Sequence, residues 1–192
     1  MIPGRTSLAV PRRGPVLAAL AYAVRVHAGQ RREVDGAPFV LHALEVGSLL
    51  YHDHAPDHVI AAGILHDTIE KTDTDAGDLE ARFGRPIATL VCAVSEDERI
   101  LDFEQRKAAL RAQVAGARRD ALTIFVADKV SKVRELRLET GRTRPRPVHA
   151  SGTRHGRLAH YRQCLELLEE RLADSRLVGE LRAELGKVAR ER

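Results

Sequence analysis

The sequence predicts an all-α fold, a single helical bundle of about eight to ten helices, on three observations. Apolar residues recur at helical spacing along most of the 192 residues. Ala, Leu, Arg and Glu are abundant, and these residues favour helix. No stretch alternates apolar and polar residues with any strength, so strands are not expected. Aromatic residues make up 4% and Trp is absent, so the core must be mostly Leu, Val, Ala and Ile.

The elements follow in order. Over 15–28, Val16, Leu20, Ala23, Val24 and His27 fall at helical spacing, and Pro15 is acceptable in a first turn. Residues 29–38 form a polar turn containing Asp35-Gly36. A second helix covers 39–51, and 52–56 breaks it. Asp57 is expected to cap a continuous helix over 58–71. The Thr-Asp-Thr-Asp stretch 72–75 caps a short helix, 76–83, ended by Gly84. Pro86 opens the next helix, through about Val94, and a charged helix covers about 102–116. Asp120 is expected to cap a helix over 121–138, with Leu122, Phe125, Val126, Val130 and Val133 on one side. Two amphipathic helices, 156–173 and 175–190, close the chain. Residues 1–14 are read as a tail and 15–192 as one domain, within the size one core can serve.

Composition excludes several classes. No apolar run approaches the roughly 20 residues that span a bilayer, so no membrane association is expected. The proline- and arginine-broken N-terminus has no signal-peptide segment. Cys92 and Cys164 lie far apart without metal spacing, as free thiols of a reducing cytosol would, and a cytoplasmic location is expected. The net charge of +4 is concentrated in 140–157, which holds five Arg, two His and no acid. That uneven spread argues against a general nucleic-acid surface. The segment is rich in Gly, Pro and Thr and is expected to be a flexible loop, either plain or serving as a lid or phosphate funnel.

The chemistry centres on 61–71, where an apolar helix delivers His66, Asp67 and Glu70 in turn. On one straight helix His66 and Glu70 share a face, while Asp67 lies about 100° round. Imidazole and carboxylate together suit manganese, iron or zinc, with Glu70 left to address a water. Taken alone, the pair reads more simply as a helix end with a satisfied histidine. Asp128 stands inside the apolar run Ile124-Phe125-Val126-Ala127, where a carboxylate is costly unless paired or bound to a cation. His27 ends an apolar stripe and is either a core histidine at a helix end or part of a site. A second His-Asp pair, His52-Asp53, with His54 and His58, is read as surface polar residues beside Pro56.

Together these stretches resemble the HD-domain hydrolases of the RelA/SpoT type, especially the stand-alone small alarmone hydrolases. The matching segments are His27 with Gln30-Arg31-Arg32, Pro38-Phe39-Val40-Leu41-His42 with Val46, and 61–72. Phe83-Gly84, Val94-Ser95-Glu96 and 126–134 follow in the family's order, so the resemblance covers about 16–136. It implies metal ligands at His27, His66, Asp67 and Asp128, with manganese the usual ion. His42 matches a motif position but is expected to be structural or supporting. The implied reaction is removal of the 3′-pyrophosphate of ppGpp or pppGpp by a water that the cation activates and Glu70 orients or deprotonates.

Two positions depart from the family pattern: Lys71 replaces an Asp and Lys132 replaces an Asn. Each lies four residues after a ligand candidate, the favourable polarity for a helical ion pair. The lysines could bind substrate phosphates, neutralise the aspartates in an impaired nucleotide-binding relative, or lie on a solvated flank. Lys71 is therefore a catalytic candidate beside Glu70, and Arg31, Lys107, Lys129, Lys132 and Arg134 are candidates for holding a phosphate-rich nucleotide. A phosphatase acting on another phosphorylated nucleotide is the alternative activity.

Overall fold

Helix α3 (Asp57–Leu65) is the axis of the molecule: Val59 to Leu65 are all buried, so this helix is apolar on every side. In the computed structural model, which describes residues 14–139 and 153–190, α1 (Gly14–Val26), α2 (Val40–His52), α6 (Arg85–Val94) and α8 (Arg119–Leu138) surround it. Helix α4 (Thr68–Lys71) is a single turn, and α5 (Ala76–Phe83) packs on α6. Helices α7 (Phe103–Ala115), α9 (Arg154–Arg171) and α10 (Arg176–Arg190) cover the outer side of α8 or its neighbours. One cluster of buried apolar residues runs from Ala19 to Val188. Among the described residues there is no strand, only an isolated antiparallel bridge between Arg31 and Pro38. No helix among them is long and apolar enough to cross a membrane.

The helix ends show how local sequence sets the path. Asp75 caps α5 by accepting from the Asp78 amide at 2.8 Å, with Asp78 reciprocating, as the 72–75 stretch suggests. Gly84 then turns the chain at φ 82°, a conformation open to glycine, and Pro86 sits in the first turn of α6. Asp102 caps α7 by accepting from the Gln105 amide. Two expected caps are displaced: Pro56 precedes α3 and Arg118 precedes α8, leaving Asp57 and Asp120 in the first turns, where carboxylates still complement the helix dipole. Helix α9 begins at Arg154, capped by Thr153, so 153–157 belong to a helix and its cap; the rest of the expected basic loop, 140–152, and the tail residues 1–13 lie outside the described residues. Cys92 is an exposed and Cys164 a buried free thiol.

Helices α2 and α3 approach closely because each presents a glycine at their crossing. A Cβ on Gly63 would stand 2.2 Å from Leu50 Cδ1, and one on Gly47 2.7 Å from Ile64 Cγ1. Gly63→Ala is expected to destabilise the protein by about 1–3 kcal/mol through overpacking, read from urea unfolding. An unchanged midpoint would show that the crossing has slack.

Candidate metal centre

The expected helix over 58–71 is interrupted. Helix α3 ends at Leu65, and Asp67 adopts φ −90°, ψ 0° before α4 begins. The Thr68 hydroxyl donates to the Leu65 carbonyl at 2.7 Å, which favours the break by offering the backbone a side-chain partner. The kink is what lets two consecutive residues serve one centre: His66 Nε2 stands 3.5 Å from Asp67 Oδ1. Helix α2 adds His42 and α8 adds Asp128. His42 Nε2 lies 3.2 Å from His66 Nε2, 3.2 Å from Asp128 Oδ1 and 3.6 Å from Asp67 Oδ2, while His66 Nε2 is 3.4 Å from Asp128 Oδ1. All four residues are buried.

Hydrogen bonds on the far side of each imidazole fix what its near side offers. His66 Nδ1 is 2.8 Å from the Gly63 carbonyl, which can only accept, so Nδ1 carries a proton and Nε2 is the nitrogen left for a cation, which would displace any proton held there. His42 Nδ1 is 2.9 Å from Ser131 Oγ, whose own proton goes to Glu45 Oε2 at 2.8 Å. His42 Nδ1 must therefore donate as well. Two imidazole Nε2 atoms and two carboxylates then converge in a buried space, with Asp67 Oδ2 and Asp128 Oδ1 accepting no hydrogen bond among the described residues. Such a set calls for positive charge, which Lys129 and Lys132 supply from one side and a metal ion would complete. The spacings of 3.2–3.6 Å resemble the roughly 3.0–3.5 Å between ligands that each stand about 2.1 Å from one ion. A divalent metal fits this donor set.

His27 is placed differently from the expectation. It follows the end of α1, is buried, packs its ring 4.9 Å from that of Phe39, and donates from Nδ1 to Gln30 Oε1 at 2.8 Å. The Gln30 amide in turn donates to the Lys71 carbonyl at 2.6 Å. The close cluster of potential ligand atoms among the described residues holds His42, His66 and Asp128, not His27. The signal for His42 was present: it stands on the same face of α2 as Val46 and Leu49, the stripe that meets α3.

The charges respond to one another. Burial works to lower the pKa of His66, but the Asp67 and Asp128 carboxylates outweigh it and raise it to about 8. His42, buried and facing Lys132, is lowered to about 4. Burial opposes ionisation of both aspartates, yet His66 and Lys132 hold Asp67, and Lys129 holds Asp128, below the usual carboxylate range. Lys129 Nζ is 2.6 Å from Asp128 Oδ2, and Lys132 Nζ is 3.7 Å from Asp67 Oδ2.

Beside the cluster opens a cavity of about 910 Å³, a size suited to a nucleotide-like ligand. Its wall includes Glu70, Lys71, Arg31, Lys107, Lys129 and Lys132. Glu70 accepts from the Glu96 amide at 2.7 Å, and burial with the neighbouring Asp67 and Glu96 charges raises its carboxyl to about 7. Lys107 pairs with Glu96, and Arg106 holds the same carboxylate at 2.9 Å. Lys71 is exposed, its Nζ 5.5 Å from the Phe39 ring centroid, and Lys132 Nζ stands 5.6 Å from the same ring. Arg134 does not fit its expected role. It does not line the cavity and is engaged by Glu45 at 2.7 Å and by Glu180, because its place on α8 turns it toward α2 and α10. The His52–Asp53 pair lies in a separate, smaller cavity with Arg119 and Asp174, away from the cluster.

Comparison with known proteins follows the same lines. The family profile described as HD domain matches residues 19–148. The human protein named guanosine-3′,5′-bis(diphosphate) 3′-pyrophosphohydrolase MESH1 is 31% identical over 124 residues, covering 63% of this chain and 69% of that protein. Its Drosophila melanogaster counterpart is 33% identical over 127 residues, with the same coverage. A solved structure described as a metazoan orthologue of SpoT that hydrolyses ppGpp and plays a role in starvation responses superposes with a TM-score of 0.72 at 23% identity, over 100% of this chain and 98% of that one.

Proposed function

Since the chain belongs to the HD domain family, we propose that it is a metal-dependent pyrophosphohydrolase acting on guanosine-3′,5′-bis(diphosphate), the substrate in the names of its relatives. Water attacks the 3′-linked phosphorus, the bond from phosphorus to the ribose 3′-oxygen breaks, and GDP and pyrophosphate leave; pppGpp would give GTP. One observation carries the reading: donors from α2, the α3–α4 break and α8 converge beside Glu70 at the wall of a cavity rich in lysine and arginine.

In this reading His42, His66, Asp67 and Asp128 hold the cation, and the mixed nitrogen and oxygen donors suit manganese. When bound, the cation supplies Lewis-acid stabilisation of charge developing on phosphorus and makes water more acidic. Glu70 orients the attacking water and takes its proton. Lys71, Lys107, Lys129 and Lys132 face the phosphates, and Arg31 stands at the same wall. A nucleotide substrate and two free thiols fit a cytoplasmic enzyme. Incubating the purified protein with ppGpp and Mn²⁺ should release pyrophosphate and GDP in equal amounts. No release with any divalent ion would end this reading.

The position of Lys132 makes a second expectation. Its ammonium, 3.7 Å from Asp67 Oδ2, repels a cation by about 1 kcal/mol or more. Lys132→Asn should therefore tighten Mn²⁺ binding roughly fivefold or more, read by competition with a chelator, while raising KM for ppGpp. Tighter metal with unchanged KM would leave Lys132 as a pure metal-affinity control, outside the phosphate site.

A further inference from the structure

The two helices that supply His42 and Asp128 each carry a second polar residue three positions on, Glu45 on α2 and Ser131 on α8, and the two pairs face each other. Ser131 is fully buried. Its hydroxyl has one proton, and Glu45, acceptor-only when ionised, takes it at 2.8 Å. The lone pairs that remain face His42 Nδ1 at 2.9 Å. Glu45 is itself held by Arg134 at 2.7 Å, an arginine also paired with Glu180. The other group near His42 Nδ1 is Glu135 Oε1, at 3.6 Å and 3.6 Å from Arg32 Nη1.

We propose that Ser131, aimed by Glu45, is a positioning residue that locks His42 in the tautomer whose Nε2 lone pair faces the metal centre. The proposal rests on the metal site described above and concerns how that site is prepared. Without the acceptor at Glu45, the Ser131 proton is free to turn toward His42 Nδ1. That would favour the tautomer with a proton on Nε2, pointing a donor where a ligand lone pair is needed. Without the Ser131 hydroxyl, Nδ1 is left with the more distant Glu135. Arg134, an expected substrate contact, here acquires a different part: it holds Glu45 in place.

The test compares wild type, Ser131→Ala, Glu45→Leu and the double variant. Metal affinity is read by competition of Mn²⁺ and Zn²⁺ with a chelator, and the His42 tautomer by ring-nitrogen NMR on the metal-free protein. Each single variant should lose affinity roughly 10–100-fold, the range for partners that orient a metal-bound histidine. The ring should shift from one tautomer to a mixture after Ser131→Ala and toward the opposite tautomer after Glu45→Leu. The double variant should bind no worse than Ser131→Ala, because Glu45 acts through Ser131. Unchanged tautomers, or losses that add in the double variant, would overturn the proposal. A wild-type protein that binds neither ion would instead remove the metal reading, while the metal-free NMR arm still decides the tautomer lock.

Discussion

Replacing His42 with alanine is expected to lower metal affinity on the order of 100-fold or more, beyond the loss typical of a merely orienting partner, and to abolish measurable turnover. His42 Nε2 stands within 3.2–3.6 Å of a donor atom on each of His66, Asp128 and Asp67, so its removal opens the set on the α2 side. His27→Ala should cost far less, about tenfold or below in affinity. That change removes its packing on Phe39 and its bond to Gln30, which leads on to the Lys71 carbonyl, together with a buried Nε2 that has no partner among the described residues. Isothermal titration of Mn²⁺ into both variants decides the matter. Should His27→Ala prove the more damaging, His27 rather than His42 is the ligand and the reading of this cluster is wrong.

That contrast also marks how far the sequence could be read. Helical period located the elements because each buries one stripe, and the capping stretch 72–75, Gly84 and Pro86 punctuate the chain by local chemistry alone. The break at His66–Asp67 was invisible for the opposite reason. Residues 58–71 keep one apolar period, and the interruption depends on a Thr68 hydroxyl turning back to Leu65. Asp57 and Asp120 carry good capping side chains, yet the chain enters α3 and α8 one or two residues earlier, where tertiary packing decides. Asp128 was legible as an acid in an apolar helix. Choosing between His27 and His42 needed the α2–α3 crossing, because both histidines end or lie on apolar stripes. The same holds for Arg134, whose partners Glu45 and Glu180 come from elements far away in sequence.

Glu70→Gln carries the second large effect: turnover should fall about 10²–10⁴-fold, the range for removing a general base, with Mn²⁺ affinity little changed because Glu70 is not among the converging donors. Its pH signature has two parts of opposite sign. A base must be ionised to act, and burial with the Asp67 and Glu96 charges raises Glu70 to about 7. A bound cation favours the ionised carboxylate and offsets part of that rise, so wild-type turnover should climb with pH up to a limb at or below neutrality, and that limb should vanish in the variant. Stability runs the other way. The folded pKa lies above the ordinary carboxylate value of 4.5, so folding favours the protonated form; this contribution is complete at acid pH and is lost as pH rises through about 7. Above neutrality the ionised Glu70 is a burden of about 1–3 kcal/mol on the metal-free protein. Glu70→Gln, which cannot ionise, should raise the unfolding midpoint of the metal-free protein at pH 8 while leaving it nearly unchanged at pH 4. An inactive variant that is also less stable at pH 8 would mean that Glu70 is holding the 96 region in place through its bond to the Glu96 amide, and the role of base would pass to another group.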